Sequence, residues 1–199
     1  MAGQTTEEQA GALVRRGAEE LSAGRVDEAL AAFGEVVSRF GAHADPAVLT
    51  HVADAMEARA KLLADAGRPG EAIEAADAYV RRFGLAGELT PRIRSQLGSV
   101  LSLKAVLLVP ADRDAAREIV DQVVRLCRAD PDPLVRARAA VTLDRYARAL
   151  AGAGDLDAAA GAFGEIPACF CGDDEDRQLM PCSIARSRFV TPDAGPNRP

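Results

Sequence analysis

A chain of 199 residues carrying a formal charge of −6 has an average surface that repels phosphate backbones and anionic lipid, which argues against nucleic acid and against a membrane as partners. About a fifth of the residues are alanine, only 4% are aromatic and none is tryptophan. Ala, Leu and Arg favour helix, while Val, Ile and the aromatics are too scarce for a β-sandwich, so an all-α chain is expected.

The stretch from Met1 to Glu8 is polar and acidic and has no apolar signal core, which points to the cytoplasm. The first unit covers about residues 5–41. Its leading helix runs into a turn, Gly24-Arg25-Val26-Asp27-Glu28-Ala29, and in the second helix Ala29, Leu30, Phe33, Val36, Val37 and Phe40 recur at three- and four-residue steps. Phe40-Gly41 then reads as an aromatic in the last turn followed by a glycine C-cap.

The second unit covers about residues 45–84. Asp45-Pro46 is a strong helix start, because the side-chain oxygen satisfies an orphan amide and proline lacks the amide that would be left over. Leu49, Val52, Met56, Ala60 and Leu63 form an apolar stripe, the turn returns at Gly67-Arg68-Pro69-Gly70-Glu71-Ala72, and Phe83-Gly84 closes the unit. The two histidines, His43 and His51, flank the helix start; His43 reads as loop and His51 as a surface residue one turn above Asp54. Neither has a nucleophile or metal partner spaced to support catalysis.

The third unit covers about residues 90–128 and starts at Thr90-Pro91. Its apolar run from Val100 to Val109 contains Lys104 and is far shorter than the ~20 residues a bilayer requires, so it reads as a buried helix. Its turn is degenerate, with Pro110-Ala111 where glycine is expected, and Cys127 stands in the register of Phe40, which predicts a buried, inert thiol. The fourth unit, about residues 132–170, starts at Asp132-Pro133 and repeats the turn from Gly154 to Ile166. Pro167 then falls where the first unit has Val37, and should end the last helix early. Residues 171–199 read as an irregular tail in which Leu179, Met180, Ile184 and Phe189 are able to fold back over the last helix. Cys169, Cys171 and Cys182 lack the paired spacing of zinc sites, so no metal is expected.

The turn anchors at positions 24, 67, 111 and 154 are spaced by 43, 44 and 43 residues, and the helix starts at Asp45, Thr90 and Asp132 precede the last three anchors by 21 or 22. Ala29, Ala72, Ala116 and Ala159 fall just after the turns, where two helices approach closely. One helix pair cannot cover both of its faces, so neighbouring pairs must stack.

The Gly-x-x-x-Glu-Ala turn (Gly24 to Ala29, Gly67 to Ala72) resembles that of the tetratricopeptide repeat, with the family's small residue in the first helix matched by Ala60 and its second-helix aromatic by Phe33 and Phe163. The period is about nine residues longer than the family's ~34, and the aromatic positions of the first helix are aliphatic. The longer variant is similar to arrays of bacterial repeat proteins. Over residues 5–170 the resemblance implies a right-handed helical-repeat solenoid, an αα-superhelix of about four antiparallel helix pairs.

It also implies that the first helix of each pair lines an inner, concave face where partner peptides or helices lie. The register puts Asp54, Glu57, Lys61 and Asp65 of the second unit there, with Leu101, Ala105 and Leu108 of the third and Asp144 and Arg148 of the fourth. An apolar strip flanked by mixed charge suits an amphipathic protein or peptide partner. There is no Gly-rich phosphate loop and no Gly-x-Ser-x-Gly elbow, so no catalytic residue and no cofactor is assigned. The expectation is a non-enzymatic interaction scaffold; the alternative is a regulatory sensor responding to a ligand or to thiol or metal chemistry at the C-terminal cysteines.

Overall fold

The computed structural model of the chain describes residues 5–84 and 89–170. Among the described residues eight helices follow one another: α1 (Thr6–Ser22), α2 (Val26–Phe40), α3 (Pro46–Asp65), α4 (Pro69–Phe83), α5 (Pro91–Leu108), α6 (Arg113–Arg128), α7 (Pro133–Gly152) and α8 (Leu156–Glu165). A short 3-10 turn, Ile166–Phe170, comes after α8, and no strand is present among the described residues. One helix pair falls in each sequence unit. The readings for residues 171–199, including Cys171 and Cys182, lie outside the described residues.

Helix starts follow residue chemistry. The Asp45 side chain accepts from the Ala47 amide, Thr90 from Ile93, and Asp132 from Leu134 and Val135, with Pro46, Pro91 and Pro133 at the first helical positions. Thr5 and Glu8 add a reciprocal capping box at α1 that satisfies two orphan amides. The turns at Gly24, Gly67 and Gly154 have φ of 75°, 70° and 81°, a left-handed backbone that glycine adopts without a Cβ penalty. The third turn has no left-handed residue; Asp112 caps α6 by accepting from the Ala115 amide.

Gly41 and Gly84 differ from the expected left-handed caps, since both are right-handed, with φ of −58° and −65°. Their reason is contact: a Cβ on either would collide with a carbonyl oxygen of the preceding turn, Val37 or Val80. Pro167 acts as expected. It has no amide to donate, α8 stops at Glu165 after ten residues, and the chain tightens into the 3-10 turn.

Each helix packs on the next in the chain, and the odd-numbered helices also pack on one another: α1 on α3, α3 on α5, α5 on α7. No two even-numbered helices pack to a comparable extent. The first helices of the pairs therefore form one contiguous row. Ala29, Ala72 and Ala116 are fully buried and Ala159 is 3% exposed, which is why those positions hold alanine where the paired helices meet. One apolar cluster centres on Phe33, Val52, Tyr79 and Phe83, another on Val120, Val123, Leu143 and Leu150, and Leu97 touches both. Each fully buried side chain of this size contributes about 1.5–3 kcal/mol.

Candidate docking groove

Three adjoining depressions, of about 500, 500 and 530 Å³, run along the row of odd-numbered helices and share Lys61. Apart from Phe33 and Asp132, the residue that caps α7, every lining residue comes from α1, α3, α5 or α7. The end beside α1 is apolar, formed by Val14, Ala18 and Leu21 with Ala58 of α3. In the middle and at the far end Leu103 and Val106 of α5 lie between charged walls, with Glu57, Lys61 and Asp65 on α3 and Arg138, Arg145 and Arg148 on α7.

Most of these charges are paired. Arg92 donates to Asp54 from Nε at 3.0 Å and from Nη2 at 2.8 Å, and Gln96 Nε2 donates to the same carboxylate at 2.7 Å. Gln96 in turn accepts from the Tyr79 hydroxyl at 3.4 Å, so α3, α4 and α5 are joined by one polar chain. Burial, with Glu57 and Asp54 nearby, raises the Tyr79 phenol well above its ordinary range, and it stays protonated. Lys61 pairs with Glu57 at 2.6 Å and Arg148 with Asp144 at 2.9 Å, each one helical turn apart.

Arg138 differs. Its stem lies over Gly98 of α5, where a Cβ would sit 2.8 Å from Arg138 Cγ and 3.2 Å from Cys127 Sγ. Nη2 donates to Ser95 Oγ at 3.1 Å, while Nε is buried without a partner among the described residues. Burial, then the like charge of Arg145, lowers the Arg138 pKa from its ordinary value.

Of the residues expected on this face, Asp54, Glu57, Lys61, Asp65 and Arg148 line the groove. Asp144 is 7% exposed and lies beneath Arg148. Leu101 and Leu108 require correction. Leu101 is 5% exposed, and both pack into the C-terminal core with Ala105, because their side of α5 faces α6 and α7. The groove side of α5 is instead Arg92, Ser95, Gln96, Leu103 and Val106. The polar half of that stripe, Arg92, Ser95 and Gln96 at three- and four-residue steps, was the available signal for it.

The remaining chemistry-bearing residues serve packing. The His51 imidazole lies against Gly11 of α1, and His43 Nδ1 accepts from the Asp45 amide at 3.2 Å. Cys127 is a buried free thiol and Cys169 is buried as well, and among the described residues no group of His, Cys, Asp and Glu side chains is placed to hold a metal ion. A smaller apolar cavity of about 290 Å³ opens between α5, α6 and α7, with Cys127 in its wall and the Arg94–Asp130 pair at its edge. No described helix is long and apolar enough to cross a membrane. No family model matches the chain, and neither the curated proteins nor the solved structures provide a match.

Proposed function

We propose that this protein is a non-enzymatic, cytoplasmic interaction scaffold of the tetratricopeptide type, a right-handed solenoid that docks a peptide or partner helix along the first helices of its repeats. The observation that carries this reading is the groove itself: three contiguous depressions, almost wholly lined by α1, α3, α5 and α7, with aliphatic floor residues between charged rims. Such a surface favours an amphipathic segment, whose apolar face fills the floor while its charges meet the rims. Glu57 and Leu103 are its best probes, one on the rim and one on the floor.

The test is affinity capture with the wild-type chain, with Glu57→Lys, with Leu103→Asp, and with Glu118→Lys on exposed α6 as a control. A partner retained by the wild type and by Glu118→Lys, and lost with both groove variants, is the expected outcome. Retention of every partner by both groove variants rejects the reading.

A further inference from the structure

The groove's charges are unequally committed. Asp54, Glu57 and Asp144 each hold a cation of their own, and Asp132 is occupied in capping α7. Asp65 is the one groove carboxylate with neither an ion pair nor a capping role among the described residues. Against it stand two guanidinium groups of α7, Arg138 and Arg145, which likewise form no ion pair among the described residues. Lys61 lines both depressions in which they lie.

The fold holds Arg138 in place. Gly98 leaves the notch its stem occupies, Ser95 fixes one end of the guanidinium, and the buried, unpartnered Nε shows that no carboxylate of the chain's described part reaches it. Glu57, already paired with Lys61, is the carboxylate that acts on Arg138 from across the groove. Two like charges held on one helix face without an ion pair of their own among the described residues are an electrostatic cost that an acidic ligand relieves further. Positions 138 and 145 are two helical turns apart, roughly 10 Å along α7.

We propose that the α7 wall of the groove receives a segment of a protein partner presenting two acidic side chains roughly 10 Å apart, one toward Arg138 and one toward Arg145. This rests on the docking reading above and adds the chemistry of the partner. On a helical partner the acids are seven residues apart; Leu103 and Val106 meet the apolar residues between them. An exposed arginine with no partner is often only solvated; the notch at Gly98 and the orphaned Nε distinguish Arg138 from that case.

The experiment uses the full chain and two fluorescent, alanine-rich helical peptides with a leucine face, one bearing glutamates seven residues apart and the other glutamines. Fluorescence anisotropy should give the glutamate peptide about a tenfold advantage at low salt, shrinking steeply at high salt. Arg145→Gln, on an exposed side chain, should remove most of that advantage, and Arg138→Gln with Arg145→Gln all of it. Circular dichroism of each variant confirms that the helices persist. Equal binding of the two peptides, or no binding of either, overturns the acidic preference. Equal binding still lost on Leu103→Asp leaves the groove reading standing, whereas binding untouched by Leu103→Asp and by the arginine changes rejects the groove as well.

Discussion

Arg94 of α5 grips Asp130, just past the end of α6, through two parallel hydrogen bonds, Nε to Oδ2 at 2.6 Å and Nη2 to Oδ1 at 2.9 Å. The same guanidinium donates to the Leu89 carbonyl at 2.7 Å, and Arg136 donates to the Asp130 carbonyl at 3.2 Å. A loop between two repeats is thereby tied to the helices on either side of it. Arg82 of α4 holds the loop between the first and second repeats in a similar way, donating to the Gly41 and His43 carbonyls at 2.8 and 3.0 Å.

The Arg94 hydrogen bond, more than any other influence, holds the Asp130 carboxyl below the usual carboxylate range. A depressed folded-state pKa means that the unfolded chain takes up the proton first. The stabilisation is therefore complete well above the unfolded value of about 3.9 and is lost as pH falls below it, through the folded value. Asp130→Asn should lower stability near neutral pH by about 1–2 kcal/mol, toward the low end because Arg94 is partly in solvent. Urea unfolding across the acid range should show wild type and variant converging as pH falls. Parallel curves would remove Asp130 from the account.

Two helical glycines predict opposite outcomes for one substitution. A Cβ on Gly17 would meet the Phe33 ring at 2.6 to 2.9 Å, and that ring is held in the core at 3% exposure. Gly17→Ala should cost about 1–2 kcal/mol, overpacking strain outweighing the gain in helix propensity. A Cβ on Gly34 of α2 meets nothing within 4 Å, so Gly34→Ala should stabilise by about 0.5–1 kcal/mol. Denaturant midpoints of the two variants should lie on opposite sides of wild type.

These elements differ in how plainly the sequence announces them. Asp45-Pro46, Thr90-Pro91 and Asp132-Pro133 announce their helices because cap and proline act within one turn of chain. Gly24, Gly67 and Gly154 are readable for the same reason, as is Pro167. The face of α5 was not readable in its C-terminal half. From Val100 to Val109 it is apolar on nearly every side, so periodicity does not separate the side packed on α6 and α7 from the side turned to the groove. Arg138 escaped for another reason: its special position depends on a glycine forty residues away, a relation that no local pattern carries.

Cys127 offers a test of burial. Desolvation pushes its thiol up to about 11, so the folded protein keeps a proton that the unfolded chain gives up near 8.5. For a raised acid the stabilisation is fully present below the unfolded value and declines as pH rises toward the folded one. Stability should therefore fall between about 8.5 and 11, and Cys127→Ala should flatten that decline in its lower half, before the Tyr79 phenol begins to contribute. Maleimide labelling with peptide mapping is the companion measurement. Cys127 should react at the rate of global unfolding, and rapid labelling of the native chain would contradict a buried thiol.

The C-terminal end of the row should open first. Every interior helix is packed by neighbours on more than one side, whereas α8 packs on α7 and on the 3-10 turn that continues it. In a stacked array stability is close to a sum over neighbour interfaces, so a terminal helix of ten residues with one main interface has the smallest share. Its amides should exchange with deuterium faster than those of α4 and α5. Ile166, 5% exposed, and Cys169, 8% exposed, are the side chains with which the 3-10 turn closes the core beneath it. Ile166→Ala should weaken the closure by about 2 kcal/mol and speed exchange in α8 while leaving α3 and α4 unchanged. Uniform acceleration across all helices would mean instead that the chain unfolds as one cooperative unit, with no separable end.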